Sequence, residues 1–439
     1  MAGRGSAACA TCVLLSVVVA VGVAAADRSG PDLAGTQPAV PTRAGPLSAR
    51  DLGALRAKVR AHFWVPDPLP PVAAETHRRF EPAPGVAAEA VSYATQLGMR
   101  VPAILYLPKP LPRGGRIPAL VVVNGHGGDK YSWYSYYAGV TFARAGAAVL
   151  TYDQAGEGER SSTRQSRTYE HDRLVGDERM ARRLAGLMIT DVMQAVSYLA
   201  ARREVDPARI GAAGYSMGSF VLALAGAVEP RLRACALVGG GNLDGPGGYW
   251  DSSKKKMCQG LPYQSLSFLG DRGATVYALH AARGPVMIWN GRADSIVADA
   301  QESFFSDLRA RARELAGMPR AEIDFGFTER GGHRPYFLTR PVAAWLAGEL
   351  RFPLWTAATI RALPEVRIAD WARAHEMNGD PTLASEEREG GTLAVSSDVP
   401  GYQRDDLNVF TPSEWEMRKE TLAFQAWAAA AASAAAASR

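Results

Sequence analysis

Three residues far apart in the chain have the types needed for a nucleophilic relay. Ser216 sits in Gly214-Tyr215-Ser216-Met217-Gly218, a G-x-S-x-G pentapeptide. A serine hydroxyl attacks a carbonyl effectively only when a base removes its proton. The pentapeptide alone is weak, because roughly 0.3 matches arise by chance in a chain this rich in glycine. Its setting strengthens it. It follows the strand pattern Ile210 to Ala213 and opens a helical pattern, and this motif requires such a strand–turn–helix elbow. The sharp turn lifts the serine oxygen off the end of a sheet and aims the Met217 N–H at the same space. His333, in Gly331-Gly332-His333-Arg334-Pro335, is the candidate base. Asp294, in Asn290-Gly291-Arg292-Ala293-Asp294, is the candidate acid that orients it. Their chain order, serine then acid then histidine, is the one that accompanies this elbow. Asp324 lies inside a strand pattern and is the reserve acid, while Asp299 suits the N-cap of the next helix better than Asp294 does. Of the other histidines (His62, His77, His126, His171, His280 and His375), His280 precedes Asp294 and His375 lies beyond the last expected helix.

Acyl chemistry also needs donors for the oxyanion of the tetrahedral intermediate. Asn124-Gly125-His126-Gly127-Gly128-Asp129 follows the apolar run Ala119 to Val123. Glycines there let a backbone N–H approach the developing charge. Gly128 is the first candidate and Gly127 the second, alongside Met217, each donor lowering the barrier by about 3–4 kcal/mol. His126 is expected to shape this loop rather than to react.

Other chemistries lack their patterns. There is no H-E-x-x-H, and the one C-x-x-C, Cys9 to Cys12, falls in an N-terminal leader, so neither a metal nor a cofactor is expected. A phosphate-binding G-x-x-x-x-G-K-[ST] is missing, and Gly239-Gly240-Gly241 lacks the spacing of a dinucleotide fingerprint. The formal charge of +5 is small for 439 residues and the arginines are scattered, which argues against a nucleic-acid partner.

The elements that must position these residues follow from patterning. At 47% hydrophobic and 21% charged, the composition is globular. Residues 1–26 read as a signal peptide: Arg4, an apolar run from Val13 to Ala25 too short to span a bilayer, and small residues at Ala24-Ala25-Ala26. Export to a periplasmic or extracellular compartment is therefore expected, with no membrane partner once the leader is removed and no later stretch able to span a bilayer. Cys235 and Cys258 remain and could pair there, although Cys235 in an apolar strand pattern reads as a buried thiol. Residues 27–85 form a linker and an N-terminal segment with a helix near 51–63. Residues 86–350 carry an opening hairpin at Ala87 to Leu107 and then alternating strands and helices, the pattern of a mostly parallel, doubly wound sheet. Residues 239–280 interrupt the alternation after the sixth strand and read as an insertion over the sheet's C-terminal edge. It holds the run Lys254-Lys255-Lys256. Its aromatics Tyr249 and Trp250, with Trp133 and Tyr134, either stack on a sugar or pack the core. Residues 351–439 are a C-terminal extension, either an accessory subdomain or a wrap around the core, ending in a fraying alanine-rich helix at 428–437.

Over residues 86–350 the chain resembles the α/β-hydrolase superfamily, and within it secreted acetyl xylan esterase-like and dienelactone hydrolase-like serine esterases. The likeness rests on Gly125-His126-Gly127-Gly128, on Tyr152-Asp153-Gln154-Ala155-Gly156-Glu157-Gly158-Glu159-Arg160, and on Glu204-Val205-Asp206-Pro207-Ala208-Arg209-Ile210-Gly211 leading into the elbow. It departs at Ser216, where dienelactone hydrolases proper have cysteine, and at Ser219, where many esterases have glycine. The resemblance implies cleavage of carboxylic esters through an acyl-enzyme, with acetyl or other short acyl groups on a small-molecule or carbohydrate substrate, and a structural role for Asp153 to Arg160. The alternatives are a prolyl oligopeptidase-like peptidase, whose usual propeller does not fit the short N-terminal region, and an inactive hydrolase fold used for binding.

Overall fold

The computed structural model describes residues 46–439 apart from 114, 254–256, 282–283, 298–300, 318–322, 378–379, 388–390, 396–397 and 438–439. The expected leader with Cys9 and Cys12, most of the expected linker, the Lys254–Lys256 run and Asp299 therefore lie outside the described residues.

Nine strands form one sheet: β1 Glu75–Ala83, β2 Val86–Ala94, β3 Arg100–Pro108, β4 Ile117–Val123, β5 Ala148–Tyr152, β6 Val205–Tyr215, β7 Leu232–Val238, β8 Val286–Gly291 and β9 Ile323–Thr328. Their order is β1-β2-β3-β5-β4-β6-β7-β8-β9. The first three strands pair antiparallel, as do β3 and β5, and the pairings from β5 through β9 are parallel. The expected architecture is present with one more strand. β1 is an exposed edge strand with Arg78, Arg79 and Glu81, so it lacks the apolar signature that marked the others. The interruption thus follows the seventh strand, not the sixth.

Helices cover both faces because parallel strands need crossovers and bury both sides of the sheet. One face holds Ala49–His62, Glu178–Ala201, Met217–Val228 and Glu302–Ala316, and the other holds Trp133–Arg144 and Arg340–Leu350. Glu178–Ala201 begins on an Asp177 cap that accepts from Met180 N. By length and composition alone it could cross a membrane, contrary to the expectation that no later stretch could, but 83% of its apolar window is buried in the protein. It is a core helix. Part of 239–280 is not an insertion: Arg272–Ala281 is the crossover helix that a parallel β7–β8 pair demands. The described part of the remainder includes short helices at Tyr249–Ser252 and Gly260–Gln264.

The extension wraps both faces. Trp371, Phe410, Trp415 and Leu422 pack with the Trp133–Arg144 and Arg340–Leu350 face. Its last helix, Phe424–Ala437, buries Phe424, Trp427, Ala431 and Ala435 and packs on Glu178–Ala201, so the alanine-rich tail is docked rather than frayed. Cys235 and Cys258 are both buried, free thiols.

Candidate functional site

β4 and β6 are neighbours with Val123 opposite Gly214, so the glycine loop after β4 and the elbow after β6 emerge side by side. This is the point where strand order reverses about β4, and ligands bind at such switch points in open α/β sheets. At the elbow Ser216 adopts φ 56° and ψ −117°, a conformation costly for a side-chain-bearing residue. Surrounding bonds hold it there. Ser216 N donates to Val238 O at 2.9 Å. The Ser219 hydroxyl lies 2.8 Å from Gly214 O and 2.7 Å from Val238 O, so the residue that departs from the usual glycine braces the turn. The motif's glycines are steric necessities: a Cβ on Gly214 would stand 2.4 Å from Gly218 O, and one on Gly218 would stand 2.2 Å from Val123 O.

The other two residues arrive by the same logic at β8 and β9. Gly291 pairs with Thr328. Beyond that pair, Ala293 N donates to Gly331 O at 2.9 Å, and a Cβ on Gly291 would meet that carbonyl at 2.0 Å. Glycine at 291 lets the two loops touch, and the contact sets Asp294 beside His333. His333 Nδ1 lies 2.8 Å from Asp294 Oδ2, and its Nε2 lies 2.7 Å from Ser216 Oγ. Asp294 is 1% exposed, and its Oδ1 accepts from Ile296 N at 2.8 Å and Val297 N at 3.2 Å. The Tyr215 ring lies against His333, and its hydroxyl donates to His333 O at 3.1 Å. Ser216, Asp294 and His333 are thus in one hydrogen-bonded line. Asp324, the reserve acid, lies on β9 itself.

The glycine loop corrects one expectation. Gly128 N already donates to Gly125 O at 2.9 Å, and a Cβ at 128 would clash with the Tyr134 hydroxyl, so Gly128 serves the turn and its N–H is not available as an oxyanion donor. Gly125 packs against the elbow, where a Cβ would fall 3.3 Å from Ser216 Cβ. Gly127 takes φ +75° and leaves room for the Tyr169 ring.

Asp153 to Arg160 is buried scaffolding beside the site. Lys130, fully buried, sits 2.6 Å from Asp153 Oδ2 and 2.9 Å from Glu159 Oε2. Glu159 also accepts from Val409 N and Phe410 N at 3.0 and 2.9 Å, which ties the extension to this loop. The extension contributes to the site as well. Pro381, Thr382, Ser385 and Glu386 line an open cleft of about 210 Å³ together with Tyr169 and Tyr215. Arg334 fixes that wall by donating to Ser385 O at 2.7 Å and to His333 O at 2.8 Å. Burial raises the pKa of Glu386 within it. Sequence patterning missed this wall because nothing local in residues 381–386 marks a ligand-facing role. Among the proposed sugar-stacking aromatics, Trp250 packs on Tyr263 of the insertion and on Phe220 of the Met217–Val228 helix. Trp133 and Tyr134 are buried at the cleft's edge, with Trp133 Nε1 donating to Thr382 O at 3.3 Å.

Comparison with known proteins agrees with this architecture. The family model described as alpha/beta hydrolase fold matches residues 118–284, and the chain has that fold. A curated Bacillus subtilis (strain 168) protein, "Putative hydrolase YtaP", is 28% identical over 141 residues, 30% of this chain. The match spans about half of that relative's length (46%). Among solved structures, Methylesterase BT1017 aligns with 84% of this chain and 70% of its own at 20% identity and a TM-score of 0.51. Glucuronoyl Esterase from Solibacter usitatus aligns with 73% of this chain and 98% of its own at 13% identity and a TM-score of 0.50.

Proposed function

We propose that this α/β-hydrolase-fold chain is an exported serine hydrolase that cleaves carboxylic esters through an acyl-enzyme, with short acyl groups on carbohydrate as its substrate class. The observation that carries the reading is the continuous line from Asp294 through His333 to Ser216, with contacts of 2.8 and 2.7 Å. His333 Nε2 takes the Ser216 proton as Oγ attacks the ester carbonyl. Asp294 holds the imidazole in the tautomer that leaves Nε2 free to accept, and it stabilises the imidazolium that forms. The Met217 N–H at the start of its helix, with the Gly127 N–H from the glycine loop, is the donor pair assigned to the oxyanion. His333 then protonates the leaving alcohol, and water repeats the sequence to release the acid. The polar wall formed by Thr382, Ser385 and Glu386 beside Tyr169 suits a hydroxyl-rich substrate.

The test compares 4-nitrophenyl esters of increasing acyl length, acetylated xylan, a methyl-esterified uronate and an aminoacyl-nitroanilide, together with labelling by a fluorophosphonate. Ester turnover and labelling at Ser216 are expected, and Ser216→Ala should lower kcat about a million-fold. Preferred anilide cleavage would replace the esterase reading with a peptidase, and absent labelling of folded protein would replace it with a binding role. Recovery of protein from the culture medium or periplasm with its N-terminus at Asp27 tests export.

A further inference from the structure

Behind the glycine loop lies a second cluster that ester cleavage does not use. One ring nitrogen each of His126 and His171, a carboxylate oxygen of Asp172 and Cys258 Sγ all lie within 4.8 Å of one another. They come from three segments: the loop after β4, the turn Glu170–Leu174, and the insertion before helix Gly260–Gln264. No local zinc-type spacing in the sequence contains them. We propose that these four side chains form a site for a tetrahedrally coordinated divalent metal of the zinc type.

His171 points to a ligand most directly. Its ring is fully buried and its Nδ1 donates to Ala155 O at 3.1 Å, which leaves the lone pair on Nε2. That Nε2 has no hydrogen-bond partner among the described residues and lies 3.5 Å from Asp172 Oδ1. A buried acceptor without a partner is costly, and an imidazole fixed by a carbonyl on its other nitrogen is the usual arrangement of a metal-binding histidine. Asp172 Oδ1 is also 2.9 Å from His126 Nε2. Bonds of about 2.0–2.3 Å at tetrahedral angles give ligand–ligand edges of about 3.3–3.8 Å; the 3.5 Å separation falls within that range, and the 2.9 Å pair would open by a few tenths of an ångström on loading. Cys258 Sγ is buried and rests 3.3 Å from Met217 Sδ. A bound cation supplies the positive charge that a buried thiolate needs, so loading releases a proton. Two imidazoles, a thiolate and a carboxylate match zinc rather than magnesium or calcium, which prefer all-oxygen sites. The partly exposed edges of His126 and Asp172 provide an entry path. A metal here would pin the glycine loop and the insertion around Met217. The inference is independent of the esterase reading.

The test uses full-length protein stripped with a chelator and titrated with Zn²⁺ against a competing indicator. Because Cys9 and Cys12 can also bind metal, the readout is the difference between wild type and variants that keep both. Wild type is expected to take up one more zinc per chain than His171→Ala, and Cys258→Ser should weaken that uptake at least tenfold. Circular dichroism checks that each variant is folded. Co²⁺-loaded wild type should show a thiolate charge-transfer band that Cys258→Ser lacks while its d–d bands persist. If His171→Ala destabilises the fold, the Cys258→Ser comparison decides. Equal zinc uptake by wild type and the folded variants, or a Co²⁺ spectrum unchanged by Cys258→Ser, would overturn the proposal.

Discussion

Replacing Asp294 by asparagine tests the relay most sharply, because the structure dictates how the new amide must sit. Asp294 Oδ1 accepts from two backbone N–H groups, Ile296 and Val297. In Asp294→Asn only the amide oxygen can fill that position, since an NH₂ there would face two donors. The NH₂ group is therefore turned toward His333 Nδ1, 2.8 Å away in the wild type. An amide nitrogen can only donate, so Nδ1 must carry its lone pair and the ring proton moves to Nε2. Nε2 then meets Ser216 Oγ as a donor and cannot accept its proton. A tautomer fixed the wrong way around costs about 10⁴-fold in kcat, or about 5.5 kcal/mol of barrier. The side chain keeps its volume and both backbone bonds, so the fold should persist. The assay is kcat on 4-nitrophenyl acetate near neutral pH, with the unfolding midpoint measured in parallel. A folded variant that keeps more than a tenth of wild-type kcat would refute the tautomer argument and the place of Asp294 in the relay.

Two further predictions concern stability. Burial lowers the pKa of His280 to about 4, and its Nε2 lies 2.6 Å from Ala223 O. The unfolded imidazole binds a proton below about 6.5 while the folded one resists until about 4, so this stabilisation is present above 6.5 and is lost as pH falls toward 4. Between pH 7 and pH 5 urea unfolding should lose about 2 kcal/mol from this group in wild type, and His280→Gln, which keeps a donor, should not show that loss; equal pH dependence in the two proteins would refute it. Lys130→Met leaves Asp153 and Glu159 buried without their shared cation and should cost about 3–5 kcal/mol by chemical denaturation. A variant within about 0.5 kcal/mol of wild type, the range of an ordinary surface substitution, would show that the network does not need this charge.

Much of the framework was legible in the sequence because it is written locally. Continuous apolar runs such as Ala119–Val123 mark strands buried on both faces, and the glycines at 214 and 218 are demanded by the tight turn around Ser216. Chain order then restricted which aspartate and histidine could meet Ser216. What the tertiary structure decided are the features that depend on long-range partners. Residue type could not tell that Gly128 N already has an acceptor in Gly125 O, because a backbone donor's availability depends on the turn it closes. The exposed edge strand β1 has no core-facing pattern, since it pairs with a single strand, β2. The cleft wall at 381–386 and the cluster of His126, His171, Asp172 and Cys258 exist only because packing brings distant segments together. Sequence spacing records neighbours along the chain, and side chains converging through space leave no period in it.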